Sequence, residues 1–156
     1  MATVPSVRTA RYALKKGRII GSGAYRKVYK SQRGKWVYKI DKDDTYGNHG
    51  NAEEYETYKI LKTRQLPPGV KLPEMHMLPN GVLAAEYVDG VQPNSWCSPD
   101  YHGSNCSEYR DKDNTCWARR FANSPIFFAD LHNGNVVIKD DVVYVIDLGH
   151  GAQIIQ

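Results

Sequence analysis

The sequence predicts an α+β fold, a five-stranded antiparallel sheet carrying one helix, followed by a smaller polar segment that ends in a β-hairpin. Three observations predict it. Short β-branched and aromatic runs, separated by Gly, Pro and Asn, recur through residues 1–88. A single stretch there, Asn51 to Lys62, has helical periodicity. Two further β-branched runs, Val136 to Ile138 and Val142 to Ile146, are separated only by Lys139-Asp140-Asp141.

A chain of 156 residues with 41% hydrophobic content suffices for one domain, or for two small lobes sharing an interface. Folding would bury roughly 68–70% of its unfolded surface. Lys and Arg number 21 against 17 Asp and Glu, a net charge of +4. That balance favours an anionic ligand such as a nucleotide and falls short of a nucleic-acid-binding signature. The opening twenty residues lack the apolar core of a secretory signal, and no apolar run approaches the length that spans a bilayer. Three cysteines, an odd number, fit a reducing compartment, so the expected location is the cytoplasm.

Arg8, Arg11, Lys15, Lys16 and Arg18 make the first segment basic, and it reads as a solvated leader into the first strand. Ile19-Ile20, then Gly21-Ser22-Gly23, then Val28-Tyr29 read as strand, turn, strand. Glycines there let a backbone approach a polyphosphate closely, although a plain glycine hairpin has the same pattern. In Lys35 to Asp41, alternation puts Val37 and Lys39 on one face and Trp36, Tyr38 and Ile40 on the other.

On the helix, Glu54 shares a stripe with Tyr58 and Leu61, while Glu53 and Glu56 fall towards the flank away from it. Asn51 with Glu54 three residues on is a capping-box pattern, which gives the carboxylate one possible use. After Pro67-Pro68-Gly69, two strands around Pro79-Asn80-Gly81 complete the five, and the last runs into Glu86-Tyr87-Val88-Asp89-Gly90. The interval Val91 to Asn123 is polar, with one short helical candidate, Asn114 to Ala122. Cys97, His102, Cys106 and Cys116 in or near it present zinc-type donors at spacings that match no common knuckle; packed thiols are the preferred reading.

In the final hairpin, Asn135 enters the first strand and Asp147 follows the second, so pairing brings the two together. A carboxylate beside a carboxamide suits a hard cation such as Mg²⁺ that keeps phosphate oxygens and water as further ligands. Asp130 lies five residues before Asn135, placed to orient an attacking hydroxyl.

These pieces, in this order, resemble the protein-kinase superfamily. Asp130-Leu131-His132-Asn133-Gly134-Asn135 matches D-x-x-x-x-N, and Asp147-Leu148-Gly149 matches the D-F-G element. Gly21, Gly23 and Val28 match G-x-G-x-x-G-x-V, with Arg26 where the third glycine belongs. Trp36-Val37-Tyr38-Lys39 stands for V-A-I-K. Two departures are Phe128, where a histidine or tyrosine is usual, and His132, which resembles the D-x-H-x-x-N form of small-molecule phosphotransferases.

The resemblance implies a minimal protein-kinase-like domain over 1–156, with residues 1–88 as the N-lobe and 89–156 as a much reduced C-lobe. It is similar to the short kinase-like proteins of some bacteriophages, which would place it in a host cytoplasm. ATP and Mg²⁺ are the implied cofactors. Adenine would lie between Val28 and Val37 above and Val137 below, bonded by the backbone of Glu86 and Val88, with Ala85 as gatekeeper. Phosphates would lie under Gly21, Ser22 and Gly23 and meet Lys39, which Glu54 positions. Asn135 and Asp147 would hold the metal, Asp130 would deprotonate the acceptor, and His132 would donate to the γ-phosphate. The implied activity is Ser/Thr-type protein phosphorylation; a nucleotide-binding module without catalysis and a small-molecule phosphotransferase are the alternatives. The chain stops seven residues after Gly149, where ordinary protein kinases continue through an activation segment and substrate-binding helices. Expected partners are therefore a protein substrate or host protein and a second copy of the chain, with neither nucleic acid nor membrane among them.

Overall fold

The structure, a computed structural model, describes residues 4–22, 26–42, 50–93, 116–148 and 152–154. Helix α1 (Val7–Lys16) precedes strands β1 (Arg18–Ser22), β2 (Arg26–Lys30) and β3 (Trp36–Asp41), which are followed by helix α2 (Asn51–Leu61). Then come β4 (Val70–Lys71), β5 (Met75–Met77), β6 (Leu83–Glu86), β7 (Ile126–Phe128), β8 (Val136–Lys139), β9 (Val142–Val145) and β10 (Ala152–Ile154). A mixed α+β architecture results, built on a five-stranded antiparallel sheet in the order β1-β2-β3-β6-β5.

The basic leader is a helix, which corrects the expectation of a single helix on the sheet. Ser6 and Thr9 form a reciprocal capping box, Ser6 Oγ accepting from the Thr9 N–H at 3.2 Å and Thr9 Oγ1 accepting from the Ser6 N–H at 2.8 Å. The basic residues face solvent, while Ala10 and Ala13 are completely buried against Trp36, Tyr38, Leu78, Val82 and Ala84. Two alanines on one face allow close approach to the sheet, and the Tyr38 hydroxyl bonds Thr9 Oγ1 at 2.8 Å. Lys15 and Lys16 in the last turn complement the helix dipole.

With α1 on one face and α2 on the other, β3 is buried on both sides through Lys39. Its alternation follows the sequence: Trp36, Tyr38 and Ile40 belong to the α1 layer, and Val37 to the main core. That main core runs without a break from Val37, Tyr58, Leu61, Leu83 and Ala85 to Trp117, Phe121, Phe128, Val136, Ile138, Val143, Val145 and Leu148.

Beyond the large sheet, two smaller ones were not expected from the sequence. The two residues of β4 pair in parallel with β9, in a three-stranded sheet ordered β4-β9-β8, and β10 pairs antiparallel with β7. Strands of two or three residues are too short to show a period. The predicted hairpin is present as β8 and β9, joined by Asp140 and Asp141 with φ of 50° and 62°. Two left-handed central residues define a type I′ turn, the form whose twist matches paired strands. Arg120 braces it, donating to the Asp141 carbonyl at 2.6 Å, to its carboxylate at 3.0 Å and to the Gly69 carbonyl at 2.9 Å. The helical candidate at 114–122 is a 3₁₀ segment, Trp117–Phe121, whose aromatic pair packs edge to face at 6.1 Å.

Candidate functional site

Strand alternation turns Lys39 toward α2, and the start of α2 is fixed from three directions. The Asp41 carboxylate, at the end of β3, accepts the Asn51 N–H at 3.0 Å and so satisfies an orphan donor of the first turn. Asn51 Nδ2 donates to the carbonyls of Lys39 and Gly81, at 2.8 and 2.9 Å. Asn51 is therefore inside the helix as a buried tether, with Gly50 at the N-cap position. Glu54 does not fold back onto its helix. It is completely buried, and its Oε1 accepts from Lys39 Nζ at 2.5 Å.

Glu54 binds two further donors. Arg26, at the start of β2, donates to the same Oε1 at 2.7 Å, and the Leu148 N–H donates to Oε2 at 2.5 Å. Lys39 also donates to the Ile146 carbonyl at 2.8 Å, so β3, α2 and the segment leaving β9 meet at one point. Arg26 completes the array through Asn51 Oδ1 at 3.2 Å and Asp147 Oδ1 at 2.8 Å. Burial opposes the charge on Arg26, but Glu54 and Asp147 outweigh it and raise its pKa above the ordinary value.

At the other wall, the β8–β9 ladder extends one bond beyond the strands, the Ile146 N–H donating to the Asn135 carbonyl at 2.9 Å. Asn135 is thereby seated beside Ile146 and Asp147. Its Nδ2 donates to the Asp130 carbonyl at 2.7 Å, which fixes the amide orientation. Asp130 has φ of 55°, a left-handed conformation that aspartate adopts more readily than most residues with a side chain. His132 Nδ1 accepts the Gly134 N–H at 3.0 Å, which leaves the proton of a neutral imidazole on Nε2, 3.8 Å from Asp130 Oδ2. In that tautomer the 3.2 Å approach of Asn135 Nδ2 to Nε2 is a contact between donors, not a hydrogen bond.

Between these walls lies a cavity of about 670 Å³, within the range of small-molecule sites. Gly21, Ser22, Val28, Val37, Ala85 and Glu86 line it from the large sheet and Val88 from the segment after β6; Asn135, Val137 and Asp147 line it from the hairpin, with Lys39 and Arg26 between. Glu54 lies behind Lys39, and Asp130 and His132 stand on the Asn135 loop. Gly23 and Gly149 lie outside the described residues, as do Cys97, His102 and Cys106; Cys116 is buried in the main core. Phe128 is buried edge to face on Phe121 at 5.5 Å, an apolar anchor under the loop. In the linking segment the Glu86 and Tyr87 N–H groups bond the carbonyls of Glu74 and Lys35, both at 2.8 Å, whereas the Val88 N–H has no partner among the described residues.

Among the described residues no group of three or more His, Cys, Asp and Glu forms a metal cluster. Asn135 and Asp147 together supply two oxygen-bearing side chains at the cavity wall. They fit Mg²⁺ only as a partial set, completed by phosphate oxygens and water.

Several participants were missed in the sequence: Arg26, Asn51, Pro73 and Gln92. Arg26 carried a signal, an arginine at a glycine position. Asn51 matched a cap, and that match concealed its tethering role.

No family model matches the sequence, and no curated protein matches it. Among solved structures, the chain is similar to Rv3197 of Mycobacterium tuberculosis, determined in complex with erythromycin, with a TM-score of 0.54 and 16% identity. The similarity covers 93% of this chain and 48% of that one, so this chain spans about half the length of Rv3197 and shares its fold over that part.

Proposed function

We propose that the protein is a minimal kinase-like phosphotransferase that binds ATP with Mg²⁺ in this cavity and transfers the γ-phosphate to a protein hydroxyl. The observation that carries the reading is the buried Lys39–Glu54 ion pair at 2.5 Å, on the wall of a cavity that Gly21, Asn135 and Asp147 also line. An ammonium held by a carboxylate without solvent contact is a fixed positive charge for phosphate oxygens.

Adenine would lie between Val28 and Val37 on one side and Val137 on the other, with the Val88 N–H offered to its edge. Asn135 and Asp147 would hold Mg²⁺, which neutralises phosphate charge when bound. Asp130 would accept the proton of the acceptor hydroxyl as its oxygen bonds to the γ-phosphorus; the bond to the β–γ bridging oxygen breaks and ADP leaves. His132, with its proton on Nε2, would steady the transferring phosphoryl group. The Asp130 carboxylate is 49% exposed, which suits an acceptor presented from outside the cavity, as a protein side chain would be.

The Arg26–Asp147 ion pair favours a second reading, nucleotide binding without catalysis, because it occupies a carboxylate that the metal would need. A thermal-shift titration with MgATP and a ³²P-transfer assay separate the possibilities. The phosphotransferase reading expects a rise in melting temperature and label on protein. A rise without transfer leaves the binding module, and label only on small hydroxyl compounds points to a small-molecule acceptor. No rise and no transfer overturn the nucleotide reading.

A further inference from the structure

Arg26 stands at the position where the resemblance expects a glycine, and its surroundings differ in kind from those of a loop residue. It starts β2 paired with Asp41, has 8% of its surface exposed, and still lines the cavity. Three of its five N–H groups are committed, two to Asn51 and Glu54 and one to Asp147. Two N–H groups therefore have no partner among the described residues.

The ion-paired array at the back of the cavity sets Lys39 and Arg26 against Glu54 and Asp147, a sum of zero. With glycine in place of Arg26 the sum would be −1, and the excess would sit on Asp147, facing an entering polyphosphate. A divalent cation is the usual remedy for a carboxylate beside phosphates. Here a guanidinium already sits on that carboxylate at 2.8 Å. Guanidinium groups match carboxylate and phosphate geometry alike, so one group can hold the first and offer its remaining donors to the second.

We infer that Arg26 is a built-in counter-cation for Asp147, which allows the cavity to take up a nucleoside triphosphate in the absence of divalent metal. The inference rests on the nucleotide reading and extends it: metal serves transfer, and docking does without it.

Calorimetric titration of the full chain with ATP in excess EDTA, beside ATP with Mg²⁺, tests it. The expected dissociation constants agree within about threefold for the wild type. Arg26→Gly should lose about tenfold or more in EDTA and markedly less with Mg²⁺, and Arg26→Gly combined with Asp147→Asn should recover part of the metal-free binding. Wild-type protein that binds ATP only with Mg²⁺ overturns the inference and leaves the nucleotide reading standing; failure to bind under either condition removes both. Arg26→Gly that binds ATP in EDTA as well as the wild type also overturns it. If Arg26→Gly does not fold, the wild-type comparison with and without metal decides alone.

Discussion

The Glu54 carboxylate accepts the Leu148 N–H at 2.5 Å across 94 positions of sequence, while its other oxygen holds both Lys39 and Arg26. One side chain with no solvent exposure thus joins helix α2 to β2, to β3 and to the segment after β9. Removing its charge leaves the buried Lys39 without a counter-charge and Arg26 with Asp147 alone, the costly way to break such a group. Glu54→Gln should lower unfolding free energy by about 3–5 kcal/mol, read from urea denaturation midpoints at unchanged slope. A loss under about 1 kcal/mol would show that the array contributes little to the fold.

Asp130 tests the chemistry without that burden. It is half exposed, and asparagine tolerates its left-handed backbone, so Asp130→Asn should fold normally. Phosphoryl transfer should fall by a factor of about 10²–10⁴, with ATP affinity unchanged in calorimetry. Undiminished transfer would remove Asp130 from its role.

Ala85 presents a methyl group to the cavity behind the proposed adenine position. ATP analogues enlarged at the exocyclic amine should compete with ATP for the wild-type protein. Ala85→Phe should fill that space, abolish competition by the analogues and weaken ATP by about tenfold or more. Analogues that never compete would displace the adenine from this end of the cavity.

The pKa of Arg26 is raised in the folded chain, because Glu54 and Asp147 outweigh the burial that opposes its charge. A raised pKa contributes stability below the unfolded value, and that contribution disappears only as pH climbs through the folded value. The stability difference between wild type and Arg26→Met should therefore stay constant between about pH 7 and pH 9, in paired denaturation series. A difference that shrinks across that window would contradict a permanently charged Arg26.

The large sheet was legible because its strands alternate and its turns carry Gly, Pro and Asn. Val37 and Lys39 share a face as the alternation required, and Asn135 bonds Ile146, the neighbour of Asp147, because a two-residue turn leaves no freedom of register. Glu54 was separable from its neighbours by helical spacing. Helix α1 was not legible as a helix: basic residues at 8, 11, 15 and 16 mask its two buried alanines, and its capping box has threonine where glutamate or glutamine is the usual signal. The link between β4 and β9 is a tertiary fact, a two-residue strand defined only by its partner. Arg26 was visible as a departure from a motif, yet its three partners lie 25, 28 and 121 residues away, and no local pattern predicts them.

The parallel pairing of Val70 with Val143, reinforced by Arg120 on the Gly69 carbonyl, means that each half of the chain supplies structure to the other. Such lacing, with the core shared between the two halves, couples their melting. Calorimetry should record one endotherm, and residues 1–88 and 89–156 made separately should remain unstructured until mixed. It also restricts how the two walls of the cavity can part: a wide jaw-like opening would tear β4 from β9. On the proposed nucleotide reading, exchange would then proceed by small local movements at the rim.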